Sequence, residues 1–195
     1  MGAGPMDAAA VLLAPGAGSS STHHTLVALE EALAPRPCVR IDFPYRLAGR
    51  PFPDRAPVLV AAVVDAVGAL CASHGLEPSQ VLLGGRSMGG RMCSMAVAEG
   101  LPAAGLVLVS YPLHPPKRPE QLRTAHFGAI GVPCLFVSGT RDGFATPDEL
   151  TAATAAIPGP VTHRWIDGGR HELDRDDDAV VAAVTGWLAD RDPTT

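Results

Sequence analysis

At 195 residues the chain is long enough for one domain built on a two-sided sheet, and too short for such a core plus a substantial lid. Hydrophobic residues at 47% against 18% charged exclude a disordered chain and fit strands buried on both faces. A formal charge of −5, with no basic cluster beyond Lys117-Arg118, argues against a nucleic-acid or anionic-membrane partner.

Taken in chain order, apolar runs alternate with helical spacing, the signature of a mainly parallel sheet flanked by helices, and residues 1–195 read as one domain. The first run, 8–14, carries no basic leader and is shorter than a membrane span, so it reads as a strand over 9–14 and a cytoplasmic location is expected. The turn Pro15-Gly16-Ala17-Gly18 follows. Leu26, Leu29 and Leu33 then share a helix face, and a second strand is predicted over 38–43. Val60, Val63, Val64 and Val67 mark a long helix, 81–84 a third strand, and Met92, Met95 and Ala96 the helix after it. Strands are predicted at 106–110, 133–138 and 161–166, which makes six. The last helix spans about 177–189, with Val180, Val181, Val184 and Leu188 facing the core. Asp176, Asp177 and Asp178 suit its positive end as a solvated cap better than they suit a metal. The extreme ends, 1–5 and 190–195, are expected to be loosely held. Cys38, Cys71, Cys93 and Cys134 sit among apolar residues with no CxxC spacing and read as buried reduced thiols.

The chemistry concentrates at Gly85-Arg86-Ser87-Met88-Gly89, between the third strand and its helix. A sharp strand-to-helix turn forces strained backbone angles on the serine and lifts its hydroxyl clear, while the first N–H groups of the helix face developing negative charge. Such a nucleophile elbow requires an acid and then a histidine, each just after a later strand. Asp142 follows the strand at 133–138, and His171 follows the one at 161–166. Asp167 is the alternative acid, and Asp142 could instead be an ordinary turn aspartate. Ser87 as nucleophile, His171 as base and Asp142 as its orienting partner describe two-step acyl transfer with no cofactor and no metal.

At these residues the chain resembles the α/β-hydrolase fold. Gly84-Gly85-Arg86-Ser87-Met88-Gly89-Gly90-Arg91 is similar to the pattern of a small lidless group, the bacterial relatives of the testis-expressed-thirty and NSL-complex-subunit-three proteins, themselves related to dienelactone hydrolases. Ser110-Tyr111-Pro112-Leu113-His114-Pro115-Pro116, Gly139-Thr140-Arg141-Asp142 and Gly168-Gly169-Arg170-His171 carry the rest of the resemblance. Relatives have His-Gly-Ala-Gly after the first strand, where this chain has Pro15-Gly16-Ala17-Gly18, so the glycines are kept and the histidine is not. The resemblance implies an oxyanion hole from the backbone amides of Met88 and Ala17. Candidate substrate contacts are Gly16, Arg86 and His114. Arg86 would either line the pocket, attracting an anionic substrate, or anchor the elbow to neighbouring loops. His114 lies on the connection where larger hydrolases insert a lid.

That connection, 111–131, is too short for a cap, so an open site for a small acyl substrate is expected. Two other function classes compete. Gly16-Ala17-Gly18 after a strand, with Asp42 ending the next, mimics a dinucleotide-binding unit, but Ser21 replaces the third glycine and Pro15 disturbs the turn. A non-catalytic interaction protein on a hydrolase scaffold is the other.

Overall fold

A computed structural model describes residues 8–191. Six strands form one sheet: β1 (Ala10–Ala14), β2 (Cys38–Arg40), β3 (Val81–Arg86), β4 (Gly105–Val109), β5 (Cys134–Gly139) and β6 (Val161–Ile166). Their order is β2-β1-β3-β4-β5-β6, and every neighbouring pair is parallel. The helices are α1 (His24–Leu33), α2 (Pro44–Leu47), α3 (Ala56–His74), α4 (Met88–Ala98), α5 (Pro147–Thr154) and α6 (Asp177–Ala189). From β1 the chain moves outward to β2, then returns past β1 to β3. Strand order therefore reverses between β1 and β3, and the loops leaving their carboxyl ends part to open a crevice.

The period of two along each strand sorts the core into two layers. Leu12, Leu83, Leu108 and Phe136 face α3, α4 and α5, where Leu59, Val63, Met92 and Leu150 meet them. Val11, Leu13, Leu82, Val109 and Val137 face Leu26 and Leu29 of α1 and Val180, Val184 and Trp187 of α6. Trp187 is 1% exposed, and its indole N–H donates to Thr162 Oγ1 at 3.2 Å. Among the described residues, α3 is the one helix long and apolar enough to cross a membrane; its Leu59, Val60, Val63, Val67, Leu70 and Cys71 are buried in this core.

Several boundaries differ from expectation for identifiable reasons. β2 stops at Arg40 because the chain turns at Phe43 into α2, with Pro44 at its first position and no proline N–H to extend a ladder. β3 continues past Gly84 to Arg86, since Arg86 still pairs with Val109. α5 begins with a capping box in which Thr146 and Glu149 satisfy each other's backbone N–H groups. Of the ends expected to be loose, 1–5 and 192–195 lie outside the described residues. Asp190 is held, its N–H donating to Gly186 O at 3.0 Å, and Arg191 lies over the Trp187 ring at 4.8 Å. All four cysteines are free, and burial pushes the Cys38, Cys93 and Cys134 thiols up to about 12, which leaves them unreactive near neutrality.

Three histidines are held neutral by the fold. Burial, then the Arg91 cation, lowers His126 to about 4; burial, then Arg86 and His24, lowers His23 to about 4; burial lowers His163. A histidine whose folded pKa lies below its unfolded value, about 6.5, contributes stability that is complete above pH 6.5 and declines as the unfolded chain takes up protons at lower pH. The urea midpoint is therefore expected to fall between pH 6.5 and about 5, before the carboxylates titrate. His126→Gln, which can keep the bond to Ser94 Oγ seen at 2.8 Å, should flatten that slope. An unchanged slope in this variant would remove His126 from the account.

Candidate active site

The turn from β3 into α4 places Ser87 at φ 50°, ψ −117°, a conformation costing on the order of 1–3 kcal/mol for a side-chain-bearing residue. The Ser87 N–H donates to Val109 O at 2.8 Å, so the strained residue is clamped by the neighbouring strand. Close packing beneath it requires glycine: a Cβ on Gly85 would stand 2.5 Å from Ala14 O, and one on Gly89 would overlap that same carbonyl. The first turn of α4 thus sits directly against the end of β1, at the point where the strand order reverses.

Ser87 Oγ lies 2.9 Å from His171 Nε2. On the other side of the ring, His171 Nδ1 is 2.8 Å from Asp142 Oδ2 and 3.0 Å from Oδ1. Asp142 Oδ1 also accepts the Phe144 N–H at 2.8 Å, which fixes the carboxylate. The Asp142 side chain is fully buried and that of His171 is 10% exposed, with the Phe144 ring stacked on the imidazole at 3.9 Å. The two loops are drawn together by backbone pairing, Arg141 N–H to Gly169 O at 2.9 Å, and a Cβ on Gly139 would collide with that carbonyl. Asp167, the alternative acid, instead accepts from Thr140 Oγ1 at 3.2 Å. A hydroxyl in this series can pass its proton to the imidazole, whose resulting charge is compensated by the buried carboxylate.

Met88, first residue of α4, and Ala17 line the same cavity as Ser87, and their N–H groups have no hydrogen-bond acceptor among the described residues. Gly16 brings the loop after β1 against the elbow, since a Cβ there would stand 3.6 Å from Ser87 Cβ. Ser21 donates from both N–H and Oγ to the two Asp42 oxygens, at 2.8 and 2.7 Å, so the acid of the dinucleotide-like pattern is occupied in bracing this loop. A cavity of about 360 Å³ opens beside Ser87, lined by Ala17, Met88, Met92 and Phe144, the start of α3, and Arg91 and Arg123. Two larger hollows, about 550 and 560 Å³, lie at the start of β1 and in the loop 167–176; neither includes Ser87.

The fold has counterparts among known proteins. Residues 7–182 match the family described as alpha/beta hydrolase domain. The chain belongs to that family. Est1E from Butyrivibrio proteoclasticus superposes on it with a TM-score of 0.76 at 15% identity, over 96% of this chain and 89% of that one. An alpha-beta serine hydrolase homologue from Coxiella burnetii is similar at 0.71 and 15%, over 95% and 86% of the two chains. The RedJ thioesterase from the prodiginine pathway of Streptomyces coelicolor is similar at 0.69 and 18%, over 96% and 90%. At these identities the likeness is one of fold.

None of the three expected substrate contacts of this α/β hydrolase lines the cavity: Gly16 packs against the elbow, and Arg86 and His114 are engaged elsewhere. Arg86 is 9% exposed, and its Nη2 donates at 3.0 Å to the carbonyls of His171 and Glu172, which is the anchoring geometry. His114 is buried, its Nδ1 2.9 Å from Pro115 O and its Nε2 3.5 Å from Glu149 Oε2, and it does not line the cavity. His23 caps α1, and His24 pairs with Asp177 at 2.6 Å. Sequence reasoning missed Tyr45, fully buried, whose hydroxyl donates to Ala17 O at 2.6 Å, and it missed Phe144 and Arg123. Arg91 was legible as part of the elbow pattern, but no local signal turns its side chain toward the cavity.

Proposed function

We propose that this α/β hydrolase is a serine hydrolase that cleaves a small ester or thioester through an acyl-enzyme. Ser87 attacks the carbonyl carbon as His171 takes the hydroxyl proton, and the imidazolium returns it to the leaving group. Water, activated by the same imidazole, then releases the acid. Asp142 holds the ring with Nε2 facing the serine and balances its charge. The amides of Met88 and Ala17 receive the negative charge that develops on the carbonyl oxygen. The observation that carries this reading is the unbroken series from Ser87 Oγ through His171 to Asp142, at 2.9 and 2.8 Å, on a strained elbow. Est1E, solved also with ferulic acid, and the RedJ thioesterase, which share the fold, lend support to this reading. Within the family we place the chain in the small lidless group related to dienelactone hydrolases, on the motif around Ser87.

Between β4 and β5 the chain forms only a single 3₁₀ turn, Phe127–Ala129, so this connection supplies no lid helix over the cavity. Across p-nitrophenyl esters from acetate to laurate, kcat/KM is expected to peak at short chains and fall about tenfold or more at laurate. A preference for the long chains would sink the small-acyl reading. No hydrolysis in the series, with a stoichiometric partner co-purifying, would favour the interaction protein.

The Ala17 loop can serve only while its amide stays aimed at the site, and the Tyr45 hydroxyl holds its carbonyl. Tyr45→Phe is expected to lower kcat about tenfold with little change in KM, because a drifting oxyanion donor acts on the transition state. Equal turnover in this variant would relieve Tyr45 of that role.

A further inference from the structure

The cavity beside Ser87 has an uneven charge distribution for a protein of net charge −5. Arg91, one turn into α4, and Arg123, from the β4–β5 connection, both line it. Arg91 Nε is buried and has no hydrogen-bond partner. Arg123 Nη1 reaches only Pro112 O, at 3.4 Å, a long and weak contact. Burial disfavours the Arg123 cation, and the neighbouring Arg91 charge disfavours it further, with no carboxylate acting in the opposite direction. His126, next to Arg91, is neutral at physiological pH. The one acid in the lining, Asp54, gives both oxygens to Arg50, at 2.6 and 2.8 Å. Two partly desolvated guanidinium groups therefore line one small cavity with no counter-ion among the described residues, and planar guanidinium donors match carboxylates.

We infer that this cavity is an acyl pocket for a chain ending in a carboxylate, which Arg91 and Arg123 hold while Ser87 attacks the carbonyl at the other end. The assignment rests on the serine-hydrolase reading for its chemistry. The acyl side is indicated because the leaving group must face His171, and His171 is not part of the cavity lining, whereas Ser87, Met88 and Ala17 are. The reaction converts a dicarboxylic acid monoester or monothioester and water to the dicarboxylate and an alcohol or thiol. The carbonyl–leaving-group bond breaks, and one water adds across it. A volume of about 360 Å³ has room for a diacid of a few carbons.

The test has a binding arm and a turnover arm. Glutarate binding to the intact protein is measured by calorimetry, beside Arg91→Gln and Arg123→Gln, with thermal melts to show that each variant folds. Hydrolysis of monomethyl glutarate is compared with methyl valerate, of equal acyl length, by pH-stat. Glutarate is expected to bind, about tenfold or more weakly in each glutamine variant, with partial recovery in Arg123→Lys. The glutarate ester is expected to exceed the valerate ester in kcat/KM by about tenfold, an advantage that shrinks in the variants and at high salt. Absence of glutarate binding, binding indifferent to both substitutions, or a valerate ester cleaved as well as the glutarate ester would overturn the assignment. So would inorganic phosphate binding through the same arginines where glutarate does not. Arginine-dependent glutarate binding with neither ester hydrolysed would sustain the subsite and count against the hydrolase reading.

Discussion

Ser87→Ala and His171→Ala are each expected to lower ester turnover by about 10⁴-fold or more, and fluorophosphonate labelling mapped to Ser87 should disappear in the first and collapse in the second. The size follows from the serial geometry, in which the hydroxyl has one proton acceptor, at 2.9 Å. Asp142→Asn is the more discriminating variant. Its side-chain oxygen should stay on the Phe144 N–H, which Asp142 Oδ1 accepts at 2.8 Å, leaving the amide NH₂ toward His171 Nδ1. The ring must then carry its proton on Nε2, facing the serine, and can no longer remove one. Turnover should fall by about 10²–10⁴-fold at neutral pH while the fold is kept. Labelling that persists at full rate in Asp142→Asn, or that maps to another serine, would refute the assignment of this series as the catalytic machinery.

Gly89→Ala should produce a large loss of stability from a single methyl group. The added Cβ would overlap Ala14 O, and the contact is backbone against backbone at the junction of α4 and β1, so no flexible side chain can yield. Either α4 withdraws from the sheet or the end of β1 bends. Both disturb Met92 and Leu12, which are buried in the same layer. A loss of about 3–5 kcal/mol in urea unfolding, or failure to accumulate folded protein, is expected. Gly18→Ala, where a Cβ meets nothing within 4 Å, serves as the control. A Gly89→Ala protein within about 1 kcal/mol of the native one would show that the elbow does not need this close approach.

Much of the fold is legible in the sequence because strand and helix periods are local. Val81, Leu83 and Leu82 reveal a two-faced strand within three residues, and α1 shows its buried stripe as plainly; in α6, Val180 and Val184 are buried as expected, but Val181 and Leu188 are half-buried and Trp187 fills the core instead. The elements not foreseen lack that periodicity. α2 has four residues, and α5 buries only Leu150 and Thr154; its one usable signal was the Thr146–Glu149 capping box. The ends of β2 and β3 were misjudged because pairing with a neighbour, not the strand's own residues, decides where a ladder stops.

By itself the sequence determined an alternating α/β chain with a serine on a glycine-flanked turn, and an aspartate and a histidine after later strands. These are properties of short segments, and turn chemistry and periodicity operate over a few residues. Only the tertiary structure chose Asp142 over Asp167 beside His171, sent Arg86 to the carbonyls of the histidine loop instead of the cavity, joined Tyr45 to Ala17, and brought Arg91 and Arg123 to one cavity without an acid between them. Those partners lie as far as 86 residues apart in the chain. Which of them meet depends on strand order, register and the path of each connection, and no periodicity within a segment encodes such a long-range convergence.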